Sequence, residues 1–365
     1  MIVMSKIKSF FKKLGKKKTI LLIVGIVLIL IILVVAIFFI TRKKVETPKP
    51  KKVKKEEPIV KKVEIIDLDS NTRPYAVMIN NNSAVWKYQS GLNDAYIVYE
   101  LLVEGGITRE MALFKDREVP KIQSVRSSRH YYLDYALEND AIYVHWGWSP
   151  QAQSDIRTLG INNINGLTYE GVYFFRDKSV SAAYEHKGYT TSEYINKAIE
   201  KLGYRSTTEE KPLLNYSVDP IDLSKMEEVQ DAKYIGIKFS NGYTVKFTYD
   251  EASKSYFKTQ NTTEMNDFNS GERMTTKNII TYQISYSGIS GDNKGRQNAN
   301  NIGSGDGYFI SEGKAVPITW EKSARSSKTV YKFKDGKELN VNDGRTYIEI
   351  QPSNQILDIQ GEIPA

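Results

Sequence analysis

Residues 95–114 read AYIVYELLVEGGITREMALF, and this stretch sets the fold of the globular part of the chain. Two runs rich in β-branched and aromatic residues, 95–104 and 107–114, flank the pair Gly105-Gly106. Such runs are typical of β-strands, and a glycine pair between them is a signal for a two-residue hairpin turn. The stretch therefore predicts a tight antiparallel hairpin.

The predicted hairpin carries three charged residues on one face. A two-residue turn pairs Leu102 with Arg109, and because side chains alternate along a strand, Glu100, Glu104 and Arg109 then share a face. Paired carboxylates can carry out acid–base chemistry on glycosides. The structural alternative is a ladder of cross-strand salt bridges, which would only stabilise the sheet.

Alternating strands and helices surround this hairpin. We predict strands at 74–80 and 141–147 and helices at 127–138, 149–159 and 191–202. From residue 233 onward the pattern changes to short β-type runs, with turns at Asn241-Gly242 and Asp335-Gly336. The chain is thus expected to be α+β, with an N-terminal α/β layered domain followed by a mostly β C-terminal domain and one N-terminal transmembrane helix. The predicted segments are a basic tail (1–18), the transmembrane helix (19–41), a charged Lys/Glu/Pro linker (42–66), and the two domains (67–212 and 213–365).

The predicted membrane helix rests on the run ILLIVGIVLILIILVVAIFFI, residues 20–40, which has no charge and no proline. About 20 apolar residues span a bilayer core. Seven lysines and no acid precede the run, which favours a cytoplasmic N-terminus and an extracytoplasmic C-terminal domain. The run is longer than the apolar core of a secretory signal and lacks a small-x-small cleavage site, so it is expected to remain as an uncleaved signal anchor. The alternative is a cytoplasmic domain on an inverted anchor.

Charge is distributed unevenly along the chain. The formal net charge is +8, but residues 1–66 carry +13 and the remainder carries −5. A mildly acidic folded part argues against a nucleic-acid partner. The chain has no cysteine, which excludes disulfides, thiol catalysis and cysteine-based metal sites. Three histidines without close spacing give no metal signature, and neither a metal nor a cofactor is expected.

A second candidate site is the stretch SVRSSRHYYLDY, residues 124–135. Arg126 and Arg129 lie three residues apart at the start of a predicted helix, where arginines and free N–H groups together can bind an anion. The structural alternative is that these arginines pair with buried acids such as Asp94 or Glu100.

A third candidate is the stretch HWGWSP, residues 145–150. Ser149 is suited to cap a helix, and this places His145 at the carboxyl end of a strand, where α/β sheets bind ligands. Tryptophans of this stretch are side chains of a type that stacks on sugars. A lone histidine is more often structural, and Arg176, Asp177 and His186 are weaker candidates.

These motifs resemble the YerB-like family of bacterial envelope lipoproteins, whose domain has no assigned function. The resemblance covers residues 71–352 and includes RPYAVMINN (73–81), QSGL (89–92), DAYIVYE (94–100), VEGGITR (103–109), VRSSR (125–129), HWGWSP (145–150), GSG (303–305), WEK (320–322) and YIEI (347–350). It implies an N-terminal α/β domain, a β-rich C-terminal domain and no established reaction. The chain departs from the family in its anchor, because an apolar helix replaces the lipidated cysteine.

The sequence favours a binding or accessory module of the bacterial cell envelope, in which Glu100, Glu104, Arg109, Arg126, Arg129, His145 and Ser149 hold an anionic or sugar-like wall component. One alternative is a hydrolase or lyase that acts on a wall polymer, which needs Glu100 or Glu104 unpaired and open in a cleft. Another is a regulatory partner of envelope enzymes, which should expose an apolar patch.

Overall fold

A computed structural model describes residues 2–41 and 62–364 and divides the chain into two compact units, Met1–Val60 and Lys61–Ala365. Most of the predicted linker (42–66) lies outside the described residues. The first unit contains helix α1 (Ile2–Thr41), which is interrupted at Gly15. Its stretch Gly15–Phe39 contains an 18-residue window with a mean hydropathy of 3.8 and is long and apolar enough to cross a membrane.

The second unit combines short helices with many strands, as the predicted α+β class requires. Its helices are α2 (Tyr132–Glu138), α3 (Pro150–Thr158), α4 (Gly166–Tyr169) and α5 (Ser192–Leu202). Strands of its first part are β1 (Tyr75–Asn80), β2 (Ile97–Leu102), β3 (Thr108–Phe114), β4 (Ile122–Gln123), β5 (Ile142–His145), β6 (Asn163–Asn165), β7 (Phe175–Arg176), β8 (Gly188–Thr190) and β9 (Asn215–Ser217). The later strands are β10 (Gln230–Asp231), β11 (Tyr234–Ser240), β12 (Tyr243–Asp250), β13 (Ser255–Gln260), β14 (Thr263–Glu264), β15 (Thr275–Thr276), β16 (Asn278–Ile284), β17 (Tyr286–Gly288), β18 (Gln297–Ala299), β19 (Gly303–Ser311), β20 (Lys314–Lys322), β21 (Val330–Phe333), β22 (Asn340–Asn342), β23 (Thr346–Pro352) and β24 (Leu357–Gln360).

One large sheet runs through both halves of this unit, in the order β10-β20-β19-β16-β23-β2-β3-β1-β5-β6, with β21 paired to β20. Strand β23, from the C-terminal half, pairs in parallel with β2 from Ile97↔Thr346 to Leu101↔Ile350. Every residue of β1, β2 and β3 is buried, because layers of structure cover both faces of the sheet. The strands of the two predicted domains therefore belong to one sheet, and the boundary between 212 and 213 stays a prediction.

A second, antiparallel sheet has the order β14-β13-β12-β11-β24, with β15 paired to β13. Its strands alternate between buried and more exposed residues, so one face is turned inward. Phe247 on this face packs edge-on against Tyr347 of the large sheet, with ring centroids 5.6 Å apart. On the other side of the large sheet, the tyrosines of α2 pack against Tyr99, with a centroid distance of 4.9 Å to Tyr135.

A charged cluster lies buried between the large sheet and the second sheet. Lys258, on β13, donates a 2.6 Å hydrogen bond to Glu100 of β2 and another to Glu110 of β3, and all three side chains have no exposed surface. Burial alone would lower the pKa of Lys258, but the two carboxylates raise it well above its usual range. Burial raises the pKa of Glu110 to about 7. The lysine of one sheet is thus paired with two carboxylates of the other.

The loop between β2 and β3 is longer than predicted, and this overturns the predicted face. Glu104–Gly106 forms a helical turn, and the pairing places Leu101 opposite Arg109 and Glu100 opposite Glu110. Because a one-residue shift in register turns side chains to the opposite face, Glu100 points toward the second sheet and Arg109 points away from it. The prediction that Glu100, Glu104 and Arg109 share a face was wrong.

The predicted helix at 127–138 begins five residues late, at Tyr132. Its first residues are extended because neighbouring strand ends satisfy their backbone groups: Arg126 N donates to the Met78 carbonyl at 2.8 Å, and Ser128 N donates to the Gly147 carbonyl at 2.9 Å. The predicted helices at 149–159 and 191–202 are confirmed as α3 and α5, with Ser149 and Thr191 as N-caps.

Replacing Lys258 with Met should lower the free energy of unfolding by roughly 3–5 kcal/mol, because Glu100 and Glu110 would remain buried without a counter-charge. Urea titration of the fragment 62–365 measures this change. The matched control is Lys197→Met, which removes an exposed lysine paired with Glu193 and should leave stability nearly unchanged. Equal effects of the two substitutions would show that the buried cluster contributes little.

Candidate functional site

The ends of four strands meet at one edge of the large sheet. Strands β2, β1, β5 and β6 run in the same direction, since β1 pairs in parallel with β5, β5 pairs in parallel with β6, and both β1 and β2 are antiparallel to β3. Their carboxyl ends, at Leu102, Asn80, His145 and Asn165, therefore lie along this edge. Open α/β sheets bind their ligands at such an edge.

An extended segment, residues 124–128, crosses this edge and fixes the position of Arg126. Asn80 N donates to the Ser124 carbonyl at 2.8 Å, and Trp146 N donates to the Arg126 carbonyl at 3.0 Å. Val125 N donates to the Gly188 carbonyl at 2.8 Å. The backbone of Arg126 is thus held between the ends of β1 and β5.

Glu104 is held by two arginines beside this segment. Arg129 Nε donates to Glu104 Oε2 at 2.8 Å, Arg129 Nη2 donates to Oε1, and Arg109 Nη2 lies 3.3 Å from Oε1. Burial would raise the pKa of Glu104, but the hydrogen bonds from Arg129 and the charge of Arg109 lower it to about 2. Burial lowers the pKa of Arg109 to about 10, so Arg109 and Glu104 are both charged at neutral pH. The carboxylate neutralises one of the two guanidinium charges.

Arg126 differs from these two arginines. It is half-buried, its Nη1 donates to the Glu185 carbonyl at 3.0 Å, and it forms no ion pair within residues 62–364. Its pKa is lowered by burial and by the charge of Arg129, while Glu185 and Glu104 act in the opposite direction. The edge therefore carries a partly exposed cation that no carboxylate neutralises directly.

Trp146, Arg176 and Tyr184 form a stack of side chains beside the same edge of the sheet. The Arg176 guanidinium lies 3.8 Å from the centroid of Trp146 and 4.3 Å from that of Tyr184, and Arg176 Nε donates to Glu170 at 2.9 Å. Two glycines permit this arrangement, because a Cβ on Gly166 or Gly188 would lie within 2.8 Å of the Trp146 ring. The Tyr184 side chain is 63% exposed and forms the outer end of the stack.

Several buried N–H groups at this edge lack an acceptor in the described structure. They are Arg109 Nε, Trp146 Nε1 and Asn165 Nδ2, and all three are donors. Buried donors without a partner are rare in folded proteins. Together with the arginines, they make the edge rich in donors and favourable for an anion or a carbonyl group.

His145 and Ser149 have structural roles next to this edge. His145 is fully buried, with Nδ1 2.8 Å from the Gly147 carbonyl and Nε2 3.1 Å from Asn163 Oδ1, and burial lowers its pKa. Ser149 Oγ accepts a hydrogen bond from Ala152 N and caps α3. Both ring nitrogens of His145 therefore lie against structural partners, and the hydroxyl of Ser149 accepts the capping hydrogen bond of α3.

The structure thus brings together Glu104, Arg109, Arg126 and Arg129, encloses His145 and Ser149 nearby, and separates Glu100 from them on the other face of the hairpin. Within residues 2–41 and 62–364 no cluster of histidines and carboxylates is arranged to hold a metal ion. Sequence reasoning ranked Arg176 low and did not use Glu170 or Tyr184. Aromatic residues followed directly by charged residues, at 169–170, 175–176 and 184–185, are the signal that could have indicated the stack.

Comparison with known proteins identifies the family. The family described as "Protein of unknown function (DUF3048)" matches with its N-terminal domain over residues 63–205 and with its C-terminal domain over residues 235–348. The chain belongs to this family. A Bacillus subtilis (strain 168) protein named "Putative lipoprotein YerB" is 31% identical over 280 residues, which are 77% of this chain and 81% of that protein.

A solved structure supports the fold of this DUF3048 protein. The crystal structure of the YerB protein from Bacillus subtilis matches with a TM-score of 0.69 at 30% identity, covering 80% of this chain and 94% of that one. These matches confirm the resemblance to the YerB-like family and the α+β fold with a mostly β C-terminal region.

The Glu104 carboxylate should make stability depend on acid pH. Its folded pKa of about 2 lies below its unfolded value of about 4.3, so its contribution is present above pH 4.3 and is lost as the pH falls toward 2. The shift corresponds to at most about 3 kcal/mol. Urea titrations of the fragment 62–365 between pH 5 and pH 2 should show that Glu104→Gln removes this part of the slope.

The matched control for this measurement is Glu193→Gln, at an exposed ion pair on α5. It should follow the wild-type pH dependence. If Glu104→Gln also follows it, the two arginines do not lower the pKa of Glu104.

Proposed function

We propose that this chain is a membrane-anchored protein of the bacterial cell envelope. Its extracytoplasmic domain binds an anionic or sugar-like wall component at the carboxyl ends of β1, β2, β5 and β6, where Arg126 lies, here called the Arg126 edge. The name of the Bacillus relative and the apolar N-terminal helix support an envelope-associated protein. The observation that carries the ligand proposal is Arg126, a half-buried guanidinium without an ion pair in the described structure, held where the strand ends meet.

The neighbouring groups suit an anion. Arg129 and Arg109 share a single carboxylate, so positive charge exceeds negative charge around residues 104–129. A guanidinium binds phosphate or carboxylate oxygens through two parallel hydrogen bonds, which gives both affinity and direction. The exposed ring of Tyr184, stacked on Arg176, offers a surface for a sugar ring beside the charged group.

The carboxylates at this site favour binding over hydrolysis. Glu100 is enclosed and bonded to Lys258, and Glu104 is held by two arginines with a pKa of about 2. A general acid near neutral pH needs a raised pKa and access to the bond that it protonates. Neither carboxylate meets both conditions, so a hydrolase or lyase based on these two residues is the weaker proposal.

A specific observation favours one second candidate, a regulatory partner of envelope enzymes. Leu167 on α4, and Val172 and Tyr184 in the segment that follows α4, are 62%, 54% and 63% exposed. Exposed apolar side chains beside a polar site can form a contact for another protein. Binding to protein without binding to polymer would support this candidate.

Replacing Arg126 with Ala should weaken retention of the fragment 62–365 on immobilised poly(glycerol phosphate) about tenfold or more, because a charge-assisted hydrogen bond pair is lost. Arg117→Ala is the matched control, since Arg117 also donates to one backbone carbonyl at 3.0 Å, that of Glu64. Retained fractions and released products are measured together. Equal loss in both variants would contradict a specific site, and release of soluble products would favour an enzyme.

The proposed topology has a separate test. Protease added to intact protoplasts should degrade the folded domain and leave a short anchored stub, because the lysine-rich tail favours a cytoplasmic N-terminus. A cytoplasmic marker protein must remain intact in the same sample. Protection of the domain until the membrane is permeabilised would contradict this orientation.

A further inference from the structure

The first residues of α1 form an amphipathic helix that precedes the apolar stretch. At 100° per residue, the apolar side chains of residues 3–13 fall within a stripe about 120° wide. The stripe consists of Val3, Met4, Ile7, Phe10 and Phe11. Four of these side chains are 49–71% exposed in the described structure, Phe11 being the half-buried member.

The other side of the same segment is basic. Lys6, Lys8, Lys12 and Lys13 lie outside the apolar stripe, and residues 1–18 contain no acid. A helix with one apolar and one lysine-rich face is typical of segments that lie in the interface of a membrane. Lysines in that position are attracted to anionic lipid headgroups.

A sharp bend separates this helix from the apolar stretch. Gly15 has φ +74° and ψ 147°, which a residue with a Cβ adopts rarely. The Thr19 hydroxyl donates to the Phe11 carbonyl at 3.3 Å, although eight residues of straight helix would separate these positions by about 12 Å. The chain therefore changes direction at Gly15, the first residue of the stretch Gly15–Phe39.

We infer that residues 3–13 bind in the plane of a bilayer that contains anionic lipid, with the apolar stripe among the acyl chains and the lysines at the headgroups. The segment is continuous with a helix able to span the membrane, so it lies at the bilayer surface on whichever side that helix begins. Charge complementarity and this continuity identify the lipid surface as the occupant of the apolar stripe. The inference does not depend on the ligand of the Arg126 edge.

The absence of cysteine allows a direct test on the full chain. Single cysteines at Phe10, in the apolar stripe, and at Ser9, about 160° around the helix from the centre of that stripe, are spin-labelled in nanodiscs that contain phosphatidylglycerol. The label at Phe10→Cys should be several-fold more accessible to oxygen than to a water-soluble nickel chelate, with the reverse ratio at Ser9→Cys. A scan of residues 3–13 should repeat this ratio with a period of about 3.6 residues.

Two further measurements test whether lipid, and no other molecule, covers the apolar stripe. Replacing the four lysines with Gln should raise the accessibility of the Phe10 label to the nickel chelate. Nanodiscs of phosphatidylcholine alone should have the same effect. Arg42→Gln, on the far side of the apolar run, should leave the accessibility unchanged. Equal accessibility at Phe10 and Ser9 would overturn the inference. Spin–spin broadening in discs that hold several chains, with loss of the periodic oxygen signal in discs that hold one, would assign the stripe to a second copy and overturn it as well.

Discussion

Lys258 joins the two sheets of the globular unit through a buried contact with Glu100 and Glu110. Enclosing these charges is costly, and their mutual attraction offsets the cost only where further hydrogen bonds satisfy the carboxylates. Thr108 donates to Glu100 at 2.6 Å and Gln89 donates to Glu110 at 2.9 Å, which meets this condition. The position of the β2–β3 hairpin relative to the second sheet depends on this contact.

The same hairpin supplies the candidate site, because its two faces carry opposite charges. Glu100 and Glu110 point to Lys258, while Arg109 points to the other face and reaches Glu104 at the end of the loop. Glu104 is therefore a support for Arg109 and Arg129, and Arg126 is the cation that stays available. The length of one loop decides which charges are enclosed and which remain at the edge.

Local signals in the sequence predicted much of this structure. The cap at Ser149, the helix predicted at 191–202 and the turn at Asn241-Gly242 are encoded by neighbouring residues, and these elements lie where they were expected. The pairing of β2 with β23 joins residues about 250 positions apart and has no local signal. For the same reason the sequence did not predict the ion pair between Lys258 and Glu100. A β2–β3 loop that is one residue longer than predicted was enough to turn Glu100 away from the predicted site.

The central claim is that the donor-rich edge at Arg126 binds an anionic group. The most direct measurement is a crystal structure of the fragment 62–365 grown with a short glycerol phosphate oligomer. The account predicts phosphate density within hydrogen-bond distance of the Arg126 guanidinium, with Glu104 still held by Arg109 and Arg129. Bound oligomer elsewhere on the surface, or Arg126 paired with the Glu185 carboxylate beside an empty edge, would contradict it.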